Sequence, residues 1–507
     1  MCSARTRHVL ACALVLLSLL AGCSDEKSAK SDTPSSQADR GTVVALTILQ
    51  MNDVYELTPV SGGTEGGMAR VATLRAQLRA ENPNTVTILA GDLLNPSALS
   101  TATVDGQRLA GRQMVDVMNV LGLDYATFGN HEFDLSQEQL SQRLAESKFT
   151  WISSNVAQAD GRPLPNVPAN AMFTVRNATG TAIRVGLFGL TVSSNPAAYV
   201  TYRDPVEVAK EQVAALRAQV DILVAVTHLS LADDIDLVQK VPEIDLVLGG
   251  HEHENSEVER GEDFTPVSKA DANARSVYVH RLQFDTSTKH LDHESTLQRV
   301  TPELADEPVV AQAVDRWVNA AFDGFRAQGF EPTKEIATTT EPLDGREASV
   351  RNVPTKLTDL TAAGMLHAAP GTELAIFNSG SIRIDDVISP GEVTEYDIIR
   401  TLPFGDTIVS VQMSGSLLLR TLDQGRANAG TGGYLQVANV TRTEGGDGWL
   451  INGVALDIGR SYAVAINDFL LTGREIKLDF LTRDNAEVSV VGEHGDLRKA
   501  LIAELQR

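Results

Sequence analysis

The chain has 507 residues, a formal net charge of −23 and only three cysteines, Cys2, Cys12 and Cys23. An acidic excess of this size, with no basic stripe interleaved with aromatics, excludes nucleic acid as a partner and leaves small anions open only where arginines or cations reverse the local field. Because every cysteine lies near the start, the folded part holds no disulfide and no thiolate metal site, so any metal is bound by His, Asp, Glu or Asn.

Arg5 and Arg7 precede an apolar run from Val9 to Leu20, which reads as a secretory leader over residues 1–22, too short to span a bilayer stably. Leu20-Ala21-Gly22-Cys23 resembles a bacterial lipobox. That resemblance implies cleavage before Cys23, lipidation of Cys23, and a membrane contact made through the anchor alone. Ser24 stands where aspartate implies inner-membrane retention, so the implied place is the outer membrane, facing the periplasm or the surface. Residues 23–41, rich in Ser, Asp and Lys and without aromatics, read as a flexible tether. The roughly 465 residues that follow favour two or more domains.

Short β-branched runs then alternate with amphipathic stretches up to about Phe284, the clearest being 43–49, 85–89, 183–188, 222–226 and 244–248. Such alternation predicts a layered α/β domain with a largely buried sheet. Val309, Val310, Ala313, Val314, Trp317 and Ala320 fall near one face of a long predicted helix over 302–330, which reads as the connection between domains. Beyond Glu335 a helix over 357–367 is mixed with loops and strands, the pattern of a second, α+β domain.

The apolar runs end repeatedly in residue types that bind metal. The first leads to Asp53 and Tyr55, the second to Asp92, a third to Gly129-Asn130-His131-Glu132, and later ones to His228 and to Gly249-Gly250-His251-Glu252-His253. In open α/β sheets ligands gather beyond the carboxyl ends of strands, so these side chains converge. Taken singly, an Asp after a strand is a turn former or cap, and a His is a satisfied polar residue. Burying Asp53, Asp92, His228, His251 and His253 together without cations is costly through desolvation and carboxylate repulsion, which two divalent ions sharing one carboxylate relieve.

This ordered set closely resembles the calcineurin-like metallophosphoesterases, and within them the secreted 5'-nucleotidase and UDP-sugar hydrolase family, over nearly the whole mature chain. The resemblance implies a four-layer α/β/β/α metallophosphoesterase domain over 42–300, a linker helix over 301–334 and a smaller α+β substrate-binding domain over 335–507. It implies two divalent ions, manganese, zinc or cobalt, with Asp92 bridging them, Asp53 and His253 on one, and Asn130, His228 and His251 on the other. His131 resembles the family's catalytic histidine, with Asp134 orienting its ring. One departure stands out: the family has Asp-x-His at the first strand, and here the third residue is Tyr55. A phenol of ordinary pKa, about 10, binds a divalent ion poorly unless the metal lowers that value. Three outcomes stay open: Tyr55 ligates a harder ion such as ferric iron, it stands aside while water fills the position, or the first site is weak. Arg70, in Gly66-Gly67-Met68-Ala69-Arg70, either braces the metal loops or faces solvent at a helix start.

In the second half, Phe377-Asn378-Ser379-Gly380-Ser381-Ile382-Arg383 matches the family's Asn-x-Gly-x-Ile-Arg segment. The match implies substrate binding by Asn378, Gly380 and Arg383, the last on phosphate, with Arg346 and Arg351 as further phosphate-binding arginines. Guanidinium suits this task because it stays charged and grips phosphate oxygens in a bidentate fork. Phe404 and Phe469 stand where the family places two aromatics that clamp the nucleobase, although aromatics are core residues by default. Beyond Phe469 the match weakens, since the family's ribose-binding Gly-Gly-Asp-Gly-Phe is absent and Glu475 is the nearest substitute. The function implied is a monomeric, extracytoplasmic phosphohydrolase that releases phosphate from nucleoside 5'-monophosphates by attack of metal-bound hydroxide. The alternatives are hydrolysis of cyclic nucleotides, nucleotide sugars or other anionic esters on the same fold, and a catalytically weak nucleotide-binding surface lipoprotein, motivated by Tyr55.

Overall fold

In the computed structural model, described over residues 41–194 and 196–507, the β-branched runs pair into two six-stranded sheets. The leader, Cys23 and the tether through Arg40 lie outside the described residues. The first sheet runs His290–Arg299, Ser276–Asp285, Val43–Met51, Thr85–Ala90, Tyr125–Thr127, Thr150–Ile152, with the last four strands parallel. The second runs Ser256–Arg260, Thr265–Lys269, Leu246–Gly249, Ile222–His228, Ala182–Thr191, Asn170–Arg176, with the middle four parallel and the edges antiparallel.

The sheets face each other. Val44, Leu46 and Ile48 of the first share one buried core with Val185, Leu187, Val224 and Val226 of the second. Helices Met68–Glu81 and Arg112–Leu121 cover the outer face of the first sheet, and Pro205–Leu216 and Leu231–Lys240 that of the second. Burial on both faces explains why the central strands read as continuous apolar runs, and the result is the four-layer α/β/β/α order. Met51 lies beside Leu89, and Val226 beside both Gly189 and Leu248. The parallel register therefore brings the polar residues that follow these strands out along one edge.

The long helix is shorter than its apolar pattern suggests. It spans Pro308–Ala327, with proline in the first turn and the Glu307 side chain accepting from Val310 N at 2.8 Å, so residues 302–307 lead up to the cap. Val309 is exposed, because position 310 is the first of the helix to point inward. Val310, Ala313, Val314, Ala321 and Phe325 pack in the cluster that holds Met68, Val71, Met114 and Met118, which places the helix in the outer layer of the first half.

The second half is built on a five-stranded sheet, Leu435–Ala438, Leu374–Asn378, Ser461–Asn467, Thr407–Ser414, Val488–Asp496, in which only the pairing of Leu374–Asn378 with Ser461–Asn467 is parallel. Helices Lys356–Ala368 and Leu497–Leu505 share a core with one face, and Gly415–Ala427 with the other. Thr355 and Thr358 cap Lys356–Ala368 reciprocally, which starts it one residue before its apolar pattern. Gly41–Arg507 form one compact unit, and among the described residues no helix is long and apolar enough to cross a membrane.

Candidate active site

Each loop leaving the aligned sheet edge turns back sharply. Asp53, Asp92, His251 and His253 have φ values of 51°, 56°, 90° and 62°, left-handed backbone that costs a side-chain-bearing residue on the order of 1 kcal/mol or more. Glycine makes room for the turns: a Cβ on Gly129 would strike Asp92 Oδ1, so the backbone before Asn130 lies against that carboxylate.

The strained Asp53 and Asp92 and the strand-end His228 have their ligand atoms within 4.8 Å of one another, all three buried. His228 Nδ1–H donates to Ala90 O at 2.9 Å, which turns the other ring nitrogen inward. That Nε2 lies 3.3 Å from Asp92 Oδ2 and 3.8 Å from Asp53 Oδ1, and it has no hydrogen-bond partner. Asn130 Oδ1 is likewise buried and unpartnered. Two buried carboxylates, an imidazole nitrogen facing them and the unpartnered Asn130 oxygen form a donor set that fits a bound cation, so the residues present suit the divalent ions that the resemblance implies.

His253 Nε2 sits 3.4 Å from Asp53 Oδ1, while its Nδ1–H donates to Asp385 Oδ2 at 2.9 Å. His251 stacks edge-on against His228 with ring centroids 5.2 Å apart, and its backbone N–H donates to Asp53 Oδ2 at 2.9 Å. Tyr55 turns its hydroxyl into the cluster. Its hydroxyl donates to Asp92 Oδ2 at 2.8 Å and lies 3.2 Å from Asp53 Oδ1 and 3.0 Å from His253 Nε2.

The charges perturb one another strongly. Burial opposes ionisation of Asp53 and Asp92, but His228 and further histidines outweigh it and hold both carboxyls below the usual range. In return, against burial, Asp92 and Asp53 push His228 up to about 9. His253 is raised too, by Glu347, Asp385 and Asp53 against burial, whereas burial and His228 push His251 down to about 4. Burial and the Asp92 and Asp53 charges push the Tyr55 phenol well up, so without a cation it remains a proton donor.

Two buried groups that sequence reasoning passed over hold the loops. Glu132 accepts from Asp92 N at 3.1 Å, Leu93 N at 2.6 Å, Leu94 N at 2.9 Å and Gly129 N at 2.6 Å, so one carboxylate ties two loops together; burial and Asp92 push it up to about 7. Lys269 Nζ, also buried, donates to Leu229 O at 2.6 Å, Gly250 O at 2.7 Å and Glu252 Oε2 at 2.5 Å, and pairs with Asp234 Oδ2 at 2.9 Å. It pins the chain on either side of His228 and His251. Gly-Asn-His-Glu contains the first of these groups and Gly-Gly-His-Glu-His contains Glu252, the partner of the second, but neither motif marks Lys269 itself.

His131 begins a short turn, with its N–H donating to Asp92 Oδ1 at 2.9 Å. Its Nδ1–H donates to Asp134 Oδ2 at 2.6 Å, which leaves Nε2 to accept from Arg383 Nη2 at 2.9 Å. The predicted dyad and the predicted phosphate-binding arginine thus meet. Arg383 Nη1 lies 3.4 Å from Glu347 Oε1, which also pairs with Arg351 Nη2. Arg346 is not brought into this group. It is 53% exposed and forks onto Asp344 at 2.9 and 2.7 Å. Arg70 is turned away from solvent and reaches Gly63 O at 3.0 Å and Gly66 O at 3.3 Å, holding the loop before its own helix.

Asn378 ends its strand facing inward, accepting from Ser381 Oγ at 2.8 Å and Asn467 Nδ2 at 2.9 Å and donating to Glu475 Oε2 at 2.7 Å. Gly380 N–H donates to Gly432 O at 2.8 Å, and a Cβ at Gly380 would lie 3.2 Å from Gly432 Cα, a tight fit. Phe404 and Phe469 are 45% and 36% exposed, which removes them from the core. Thr407 N donates to Asp468 Oδ1 at 3.1 Å, tying the two phenylalanine-bearing loops to one end of the sheet. Arg383 lies 6.0 Å from the Phe404 ring centroid.

The Calcineurin-like phosphoesterase family matches residues 46–255 and the 5'-nucleotidase C-terminal domain family matches residues 335–480. Over 485 residues the chain is 27% identical to the trifunctional nucleotide phosphoesterase protein YfkN of Bacillus subtilis, covering 84% of this chain and 32% of that longer protein. It is also 27% identical to snake venom 5'-nucleotidase of Naja atra, over 78% of this chain and 81% of the relative. The crystal structure of a 5'-nucleotidase precursor from Thermus thermophilus shares the fold at a TM-score of 0.74 and 24% identity, covering 91% of this chain and 96% of its own. The chain therefore belongs to the calcineurin-like metallophosphoesterases that carry a 5'-nucleotidase C-terminal domain, and is a metal-dependent phosphohydrolase.

Proposed function

We propose that this enzyme is a 5'-nucleotidase that works outside the cytoplasm, as a lipid-anchored monomer tethered through Cys23, and releases phosphate from nucleoside 5'-monophosphates. The observation that carries the reading is that Arg383, from the other half of the molecule, meets the His131 and Asp134 pair beside the buried Asp53, Asp92 and His228 cluster. Residues 42–300 supply the cluster and the His131 and Asp134 pair, and 335–507 supply Arg383, the two joined by the segment 301–334.

Asp92 is read as the shared carboxylate, with Asp53 and His253 on one ion and Asn130, His228 and His251 on the other. When bound, such ions polarise phosphoryl oxygens and make water nucleophilic at neutral pH. The chain's own residues do the rest. Asp134 aims the His131 ring, whose Nε2 is the atom placed to hold a proton for the leaving oxygen. Arg383 and Arg351 receive phosphate oxygens, and Phe404 and Phe469 offer faces on which a base can stack. Tyr55 Oη, spaced from two carboxylate oxygens and His253 Nε2 like neighbouring atoms on one ion, joins the first set. A phenolate there favours a hard ion such as ferric iron over zinc; loading the stripped protein with ferric iron should give a visible charge-transfer band that Tyr55→Phe abolishes, and an unchanged spectrum in the variant would exclude the ligand role.

The function is tested by phosphate release from AMP and from 4-nitrophenyl phosphate, using metal-stripped protein resupplied with manganese, zinc or cobalt. Faster metal-dependent turnover of AMP, lost in His131→Ala, is the expected result. A second reading, hydrolysis of nucleotide sugars or cyclic nucleotides, is favoured by Glu475, whose carboxylate is bound to Asn378 where the family's ribose-binding aspartate is missing. Turnover of those esters, with AMP left untouched, would move the assignment there.

A further inference from the structure

The arginines of the second half are already engaged by the protein's own acids. Glu347 opens the one-turn helix Glu347–Val350, and its backbone N–H donates to Asp385 Oδ1 at 2.9 Å. Its Oε1 pairs with Arg351 Nη2 and lies 3.4 Å from Arg383 Nη1, while its Oε2 lies 3.6 Å from His253 Nδ1. Arg383 spends its other arm on His131 Nε2, 2.9 Å away. One carboxylate therefore sits where two guanidinium groups and a metal-site imidazole converge, directly beside the catalytic dyad, which is the environment that a phosphate needs.

We propose that Glu347 is an internal stand-in for the phosphate group, a specificity-determining residue that competes with substrate and product for Arg351 and Arg383. The proposal rests on the reading of those arginines as the phosphate cradle. The physical argument is one of exclusion. Two anions at contact repel strongly when partly desolvated, so phosphate and the Glu347 carboxylate cannot occupy the same two guanidinium groups. Arriving phosphate displaces Glu347, and the returning carboxylate helps expel inorganic phosphate once the ester is cut. No bond forms or breaks in this exchange. Its consequence is weaker product binding and faster release, at the cost of a higher KM.

A carboxylate that merely orients the arginines would act with the opposite sign, and that makes the two roles separable. Inorganic phosphate is titrated calorimetrically into manganese-loaded wild-type protein, Glu347→Gln and Glu347→Asp, with kcat and KM for AMP measured on the same samples. Glu347→Gln keeps the shape, removes the charge, and should bind phosphate about tenfold more tightly, with a lower KM and a lower kcat as release slows. Glu347→Asp keeps the charge and should stay within a few-fold of wild type. Equal or weaker phosphate binding by Glu347→Gln overturns the proposal, as does the absence of phosphate binding in both proteins. Wild-type protein that binds phosphate but hydrolyses no nucleotide would refute the nucleotidase reading alone, since the comparison of phosphate affinities would still decide the role of Glu347.

Discussion

Asp53 and Asp92 on strained loops and His228 at the end of its strand are fully buried, with Asn130 Oδ1 left without a partner, whereas Arg351 and Arg383 of the other half each have an acid or imidazole to bind. In the first region two carboxylates are balanced by protons on His228 and His253, which a cation can displace. In the second, one carboxylate, Glu347, faces both guanidinium groups. The difference teaches what each must do: the cluster takes up cations from outside, and the cradle is opened by an anion strong enough to replace Glu347.

Removing the shared carboxylate should break the comparison most completely. Asp92→Asn keeps the shape but loses the charge that faces His228 and Tyr55, and activity should fall about 10⁴-fold together with metal content, measured by turnover and elemental analysis on one sample. His131→Ala should lower kcat by about a thousandfold while metal content stays at the wild-type level, because its ring touches Asp134 and Arg383 and no metal ligand side chain. A parallel loss of metal would show that the dyad and the cluster cannot be separated.

Acidity should sharpen the contrast. In the metal-free protein His228 is held up at about 9, so below that pH an ion must expel its proton. Apparent metal affinity should therefore rise at least tenfold per pH unit between pH 7 and 9, since His253 and Tyr55 are raised as well and give up protons too, read by competition with a chelator of known affinity. A flat profile would mean that no proton is displaced. Arg383→Ala should raise KM for AMP by about ten- to a hundredfold, with a smaller effect on metal affinity. Phe404→Ala should have the least effect, lowering the preference for AMP over 4-nitrophenyl phosphate by about tenfold through lost stacking and leaving 4-nitrophenyl phosphate turnover near wild type.

The cluster was legible in the sequence because its ligands follow apolar strands whose parallel register is a general rule, and Asp53, Asp92 and His228 indeed emerge from one edge. What joins the two halves was not legible. Asp385 and Glu347 reach His253 from the far half of the chain, and these acids, like Lys269 fastening Gly250 within the first half, are residue types that lie on the surface by default. Gly-Arg-Glu-Ala-Ser-Val-Arg presents three charged residues that look alike, and only the packing separates exposed Arg346 on Asp344 from Arg351 on Glu347. Helix ends followed local chemistry: the Glu307 cap and Pro308 set the start of the long helix inside an apolar pattern that ran further.

The central claim is that the orphaned ligand atoms of the first region exist to hold cations. Calorimetric titration of manganese into metal-stripped protein, at pH 8 and with Asp92→Asn alongside, tests it most directly. The account predicts two ions bound per chain in the wild type and loss of at least one in the variant. A folded wild-type protein that takes up no ion would contradict it.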